Sequence, residues 1–98
     1  MRKATYYIDD IATLKRVHGM KDDDFVELKP FKAIYTLINT HNDRMPDRYE
    51  LIIDGKKANI NDLNGYQRGW ILNDCWNHFM GIEPKGGHYM FEKVEEVI

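Results

Sequence analysis

Residues 49–60 read YELIIDGKKANI. Two β-prone runs flank Asp54-Gly55, and these residue types tolerate the positive φ angles of a two-residue type I′ turn. The stretch predicts a β-hairpin over about 49–60, and with it an antiparallel sheet.

Upstream, HNDRMPD (41–47) is a loop by composition. Before it, Phe31, Ile34, Tyr35 and Ile38 follow the i, i+3, i+4, i+7 rule behind Pro30. That spacing predicts an amphipathic helix over Pro30–Thr40, with proline in its first turn. Phe25–Lys29 reads as a short strand and Asp22-Asp23-Asp24 as a polar loop. Ala4–Ile8 is a candidate first strand. Asp9 or Asp10 then caps a helix over Ile11–His18, with Ile11, Leu14 and Val17 on one face and Gly19 as its stop.

Downstream of the hairpin, Asn61 is placed to cap the longest helix, about 62–80, which Gly81 and Pro84 end. Gly86-Gly87 is a turn. His88–Val94 reads as a strand, although Phe91 and Val94 also fit helical spacing. No repeat, low-complexity tract or linker interrupts the 98 residues. The expected fold is a single domain, 1–98, of class α+β, with a small antiparallel sheet packed against two or three helices.

Composition narrows the function. The chain is 43% hydrophobic and 31% charged, the balance of a folded globular protein. Its formal net charge is −2, whereas general nucleic-acid binders are basic and gain from counterion release. Residues 69–98 hold Lys85 and Lys93 against Asp74, Glu83, Glu92, Glu95 and Glu96, so the C-terminal third is acidic. The single cysteine excludes an internal disulfide framework and fits a reducing compartment. No apolar run approaches the roughly 20 residues that span a bilayer, and MRKATYYIDDIATLK is charged too early for a signal peptide. A cytoplasmic protein without membrane contact is expected. The sequence contains no serine, so a serine nucleophile is excluded. Its richness in Asn, Asp, Lys, Ile and Tyr resembles proteins of AT-rich bacteria and their phages.

Residues 64–81, NGYQRGWILNDCWNHFMG, hold both tryptophans and the only cysteine. On a wheel at about 100° per residue, Tyr66, Trp70 and Met80 share one side with Leu63. Leu72, Trp76 and Phe79 take a neighbouring side. Gln67, Asp74 and His78 form a narrow polar stripe opposite. A surface helix needs one apolar stripe, so this helix is either packed on two sides or presents one side to a partner. Asn73 and Asn77 fall inside the apolar arc, where buried amides would need partners. Gly65 and Gly69 mark either a helix that begins near Tyr66 or a close backbone approach at Gly69.

The chemical candidates are sparse. Cys75-x-x-His78 with His88 supplies three candidate ligands for zinc, yet the second ligand pair of a zinc site is missing. Cys75 lies within the helix beside Asp74, where nothing activates a thiolate. Asp74 and His78, four apart, fit a surface ion pair. Asp62-Leu63-Asn64-Gly65 lacks the acidic positions of a calcium loop, where Ile60 and Ile71 stand instead. No cofactor is expected.

Elimination leaves a small non-catalytic binding protein, one that binds and inhibits another protein or protein–nucleic-acid complex. A phage or mobile-element accessory protein acting on a host enzyme or defence complex, an anti-CRISPR-like inhibitor among them, is its sharpest version. Trp70, Asn73, Trp76 and Asn77 would form an interface with the acidic Asp22, Asp23, Asp24, Glu92, Glu95 and Glu96, which could occupy a basic groove. A homodimer fits the same apolar face. A second expectation is a nucleic-acid-binding regulator using Arg44, Arg48, Lys56, Lys57 and Arg68. A third is a metal-dependent enzyme at Cys75, His78 and His88.

Overall fold

The computed structural model describes residues 1–21, 31–84 and 87–97. The expected strand Phe25–Lys29, the loop Asp22–Asp24, Pro30 and the turn at Gly86 lie outside the described residues.

Five strands form one antiparallel sheet: β1 (Arg2–Asp9), β2 (Lys32–Asn39), β3 (Arg48–Ile53), β4 (Lys56–Ala58) and β5 (Lys93–Val97). Their spatial order is β4-β3-β2-β1-β5. Helix α1 (Asp10–His18) follows β1 directly. A helical run with a π-helical part, Gln67–Leu72, continues into the α-helix α2 (Asn73–Phe79). The α+β class is as expected from the sequence.

The hairpin forms where its turn chemistry requires it. Asp54 has φ 49° and Gly55 φ 84°, so both central turn residues occupy the left-handed region. Leu51, Ile52 and Ile53 of β3 then pair with Ala58, Lys57 and Lys56 of β4. Helix α1 also obeys its local signals. Asp9 accepts a hydrogen bond from the Ala12 N–H at 3.1 Å, and Gly19 ends the helix in the left-handed conformation. Its inward face is rotated from the expected one. Asp10, Thr13 and Leu14 are buried, while Ile11 is exposed. The rotation places the Thr13 hydroxyl 2.7 Å from Glu92, to which it donates.

The helix expected over Pro30–Thr40 is instead strand β2, and it is central to the sheet. Lys32–Asn39 pairs along its length with β1 and from Ala33 to Ile38 with β3. The sequence satisfies two periods at once. Phe31, Ile34, Tyr35 and Ile38 have helical spacing, but Ala33, Tyr35 and Leu37 alternate and are all buried. Pairing on both edges, together with the β-branched Ile34, Thr36 and Ile38, decides for the strand. The last strand is displaced too: β5 spans Lys93–Val97 rather than His88–Val94. Tyr6 pairs with Val94 and Ala4 with Glu96, and the Glu92 N–H donates to the Tyr7 carbonyl at 2.8 Å, leading the chain into the ladder.

The long helix begins later than expected. Asn59, not Asn61, caps a short 3₁₀ turn at Ile60–Asp62 through a capping box with Asp62. The helical backbone then starts at Gly65. Asn64 accepts from the Gln67 N–H at 2.8 Å while the Gln67 side chain accepts from the Asn64 N–H at 3.0 Å, a second reciprocal cap. At Gly69, an added Cβ would meet nothing within 4 Å, so no backbone approaches it.

The core lies between one face of the sheet and this helix. Ala4, Tyr6, Ile8, Ala33, Tyr35, Leu37 and Leu51 from the strands meet Ile71, Leu72, Cys75 and Phe79 from the helix. Arg2 fastens the end of α2 to the sheet. Its guanidinium lies 4.1 Å from the Phe79 ring centroid, donates to the Phe79 carbonyl and pairs with Glu96. The opposite sheet face carries Thr5, Tyr7, Ile34, Ile38 and Ile52, each half-buried. None of the described helices is long and apolar enough to cross a membrane.

Candidate functional site

The helix at residues 65–79 has two unlike sides. Ile71, Leu72, Cys75 and Phe79 are buried in the core. Trp76 is half-buried against the same cluster and lines a shallow recess with Tyr35, Ile60 and Arg68. On the other side, Trp70 is 56% exposed and Tyr66 43% exposed. Of the residues expected beside them, Leu63 is buried and Met80 half-buried. The two tryptophans therefore belong to different surfaces, as the wheel requires.

Trp70 stands within the π-helical turn. Such a turn bonds i to i+5 and inserts an extra residue, so side chains before and after it are out of α-phase. Gln67 is half-buried and Arg68 exposed, although Arg68 would sit one α-turn above Leu72 in the buried row. π-turns inside helices occur frequently at functional sites.

Tyr66, Gly69, Trp70, Asn73, Asp74 and Asn77 form one wall of a cleft of about 670 Å³. The end of α1 supplies Val17 and His18, and the segment before β5 supplies His88 and Met90. The volume falls within the roughly 300–1,000 Å³ usual for ligand sites. The wall is fixed to its surroundings through Asp74, which accepts from the Met90 N–H at 3.1 Å. Burial holds the Asp74 carboxyl above its ordinary range, partly offset by that bond. Tyr66 is likewise raised, by burial first and then by the negative charges of Asp10 and Asp74. Asn73 is exposed and Asn77 half-buried on the cleft wall, so the amides in the apolar arc face a solvent-accessible concavity.

The expected Asp74–His78 ion pair is replaced by separate bonds. His78 Nδ1 lies 2.9 Å from the Tyr6 hydroxyl, and its ring packs edge-on against Tyr6, Tyr89 and Phe91. Burial pulls the His78 pKa down and is the largest influence on it. Burial pushes the Cys75 thiol well up, since the side chain has no exposed surface. Cys75 faces the core, His78 bonds Tyr6 and His88 lines the cleft, so these three do not converge. Among the described residues, no group of three His, Cys, Asp or Glu side chains is arranged to hold a metal ion.

The charged candidates are dispersed. Glu92 is held by Arg16 at 2.9 Å and by Thr13, and its carboxyl stays below the ordinary range because these two bonds outweigh burial. Glu95 pairs with Lys93 at 2.7 Å and Glu96 with Arg2. Each acid of β5 and its approach thus already has a cation. Asp22, Asp23 and Asp24 lie outside the described residues. Arg48 and Lys57 share the outer sheet face: Arg48 pairs with Ile38, and Lys57 pairs with Ile52, which lies four residues along β3 from Arg48. Lys56 has the other parity, Arg68 borders the recess beside Trp76, and Arg44 sits in the 41–47 loop. The five cations therefore span both faces.

Sequence reasoning singled out Trp70, Asn73, Asn77 and His88, which the fold gathers in one cleft. It missed Val17, His18 and Met90 as their partners. Nothing local signals that role, because α1 and residues 88–90 reach the cleft only through tertiary packing. No family model matches the chain, and neither a curated protein nor a solved structure matches it.

Proposed function

We propose that this chain is a small binding protein that engages a macromolecular partner through the cleft wall formed by Tyr66, Trp70, Asn73 and Asn77. One observation carries the reading: a tryptophan more than half exposed, at the rim of a 670 Å³ concavity, on a helix whose other side is fully committed to the core. Tryptophan and tyrosine dominate interface energetics because a large rigid surface leaves water at little entropic cost. Trp70 also lies outside the core cluster of the described residues. In its sharpest form the protein inhibits the partner it covers, as an accessory protein of a phage or mobile element acting in the cytoplasm on a host enzyme or defence complex. An anti-CRISPR is one such inhibitor.

Affinity capture with the tagged wild-type chain and with Trp70→Ala tests this reading. A partner retained by the wild type and by Lys57→Ala, but lost from Trp70→Ala with an unchanged melting curve, is the expected result. Equal recovery of the same partner by both Trp70 forms sinks the assignment of the surface.

A further inference from the structure

The cleft has a definite electrostatic character. Among the described residues, Asp74 is the only carboxylate that lines it, and none of the lysines or arginines among them does. Asp74 is held in place by the Met90 N–H and stands in the helical row next to Trp70, four residues away, so the indole and the carboxylate flank the same space. Asn73 and Asn77 contribute amide oxygens as further acceptors, also four apart on that wall.

We infer that the cleft receives an arginine side chain from the protein partner. The inference rests on the binding reading above and specifies its chemistry. A guanidinium is planar, so it stacks on an indole face, and it is weakly hydrated, so its transfer into a half-enclosed site costs less than that of an ammonium. Its five N–H donors suit a site that holds a fixed carboxylate, Asp74, and is lined by two amide side chains able to accept. Tyr66, the second aromatic of the wall, has its hydroxyl pKa raised by burial first and then by the negative charges of Asp10 and Asp74. The remaining volume accommodates the flanking residues of the partner's chain.

Four capped amino acids separate charge from shape: N-acetyl-arginine amide, its neutral isostere N-acetyl-citrulline amide, Nα-acetyl-lysine amide and N-acetyl-norleucine amide. The probe signal is the Trp70 indole N–H resonance of the full chain, assigned by comparison with Trp70→Leu and followed at pH 8, where ordinary imidazoles are neutral. Capped arginine is expected to shift that resonance saturably, with citrulline about tenfold weaker, the loss expected when a desolvated cation–π contact and its carboxylate partner lose the charge. Asp74→Asn keeps an acceptor for the Met90 N–H, and it is expected to bring arginine down to the citrulline level. Equal binding of arginine and citrulline, equal binding of norleucine, capped lysine as tight as arginine, or no saturable shift each overturns the inference. If arginine fails while partner capture still depends on Trp70, the binding surface stands and only its chemistry falls.

Discussion

Both sides of the helix at residues 65–79 carry aromatic residues, and they have opposite fates. One side sends Ile71, Leu72, Cys75 and Phe79 into the core, each at 4% exposure or less. The other holds Tyr66 and Trp70 in solvent, with Asn73 and Asn77 between them and the end of α1. Aromatic content alone does not distinguish a core face from a binding face. What distinguishes them is whether the facing element completes the packing. The sheet does so on one side, and on the other α1 and residues 88–90 stand back and leave a cleft.

The largest expected effect lies on the core side. Phe79→Ala removes a ring with 1% exposure that also carries the Arg2 guanidinium. A loss of about 3–5 kcal/mol of stability follows from the cavity and the lost transfer energy. Urea denaturation measures it, and a loss under about 1 kcal/mol would mean that Phe79 does not anchor the helix.

Tyr6→Phe probes the same side more gently. It deletes the hydroxyl that meets His78 Nδ1 and leaves the ring packing. About 1 kcal/mol is the expected cost, the net worth of one half-buried hydrogen bond. The pH dependence has a definite sign. The folded pKa of His78 is lowered, mainly by burial, so the folded state favours the neutral ring. His78 therefore places no penalty on folding above the ordinary histidine range. As pH falls through that range the unfolded chain takes up the proton first, and stability declines. His78→Gln should flatten the pH 7 to pH 5 part of the melting profile, and an unchanged slope would assign that decline to another group.

Asp10 sharpens the contrast from α1, the element that borders the cleft. It is 6% exposed, and its Oδ1 is the one buried side-chain polar atom without a hydrogen-bond partner among the described residues. Its carboxyl is raised, by burial first and by Asp9 second. Two effects compete. A negative charge in the first helical turn is worth about 0.3–1 kcal/mol, whereas leaving a buried charge unpaired costs about 1–3 kcal/mol or more. The second is larger, so Asp10→Asn should stabilise the protein by about 1 kcal/mol at pH 7. Because the folded pKa is raised, the charge penalty is absent below the unfolded carboxylate range and grows as pH climbs through the folded value. Thermal melts at pH 7 and at pH 4 check the sign: the gain should shrink at the lower pH.

The parts of this fold that were legible from sequence share one property: their determinants are local. Asp54-Gly55 sets its own turn, and Asp9 and Gly19 set the ends of α1 within a few residues. Strand β2 was misread because residues 31–38 satisfy helical and strand periods together, and the tie is settled by β1 and β3, whose pairing no local window contains. The cleft was half legible for the same reason. Trp70, Asn73 and Asn77 stood out as surplus apolar surface with embedded amides. The opposing wall, His18 and Met90, depended on where α1 and the segment before β5 come to rest. The phase slip at Gln67–Leu72 was also invisible to a wheel of fixed step.

The smallest expected effect on stability is the one that matters most for function. Trp70→Ala removes more apolar side chain than most substitutions could, yet from a position 56% exposed and outside the core cluster. Alanine is also the better helix former. The lost contacts and the gained propensity should leave stability within about 0.5 kcal/mol of wild type, the range of an ordinary surface change. Set beside Phe79→Ala on the same helix, the two substitutions differ several-fold in their effect on folding and should reverse in their effect on partner binding. If Trp70→Ala instead costs about 3 kcal/mol, comparable to a core deletion, the cleft wall is part of the folding core and the two sides of the helix are equivalent after all.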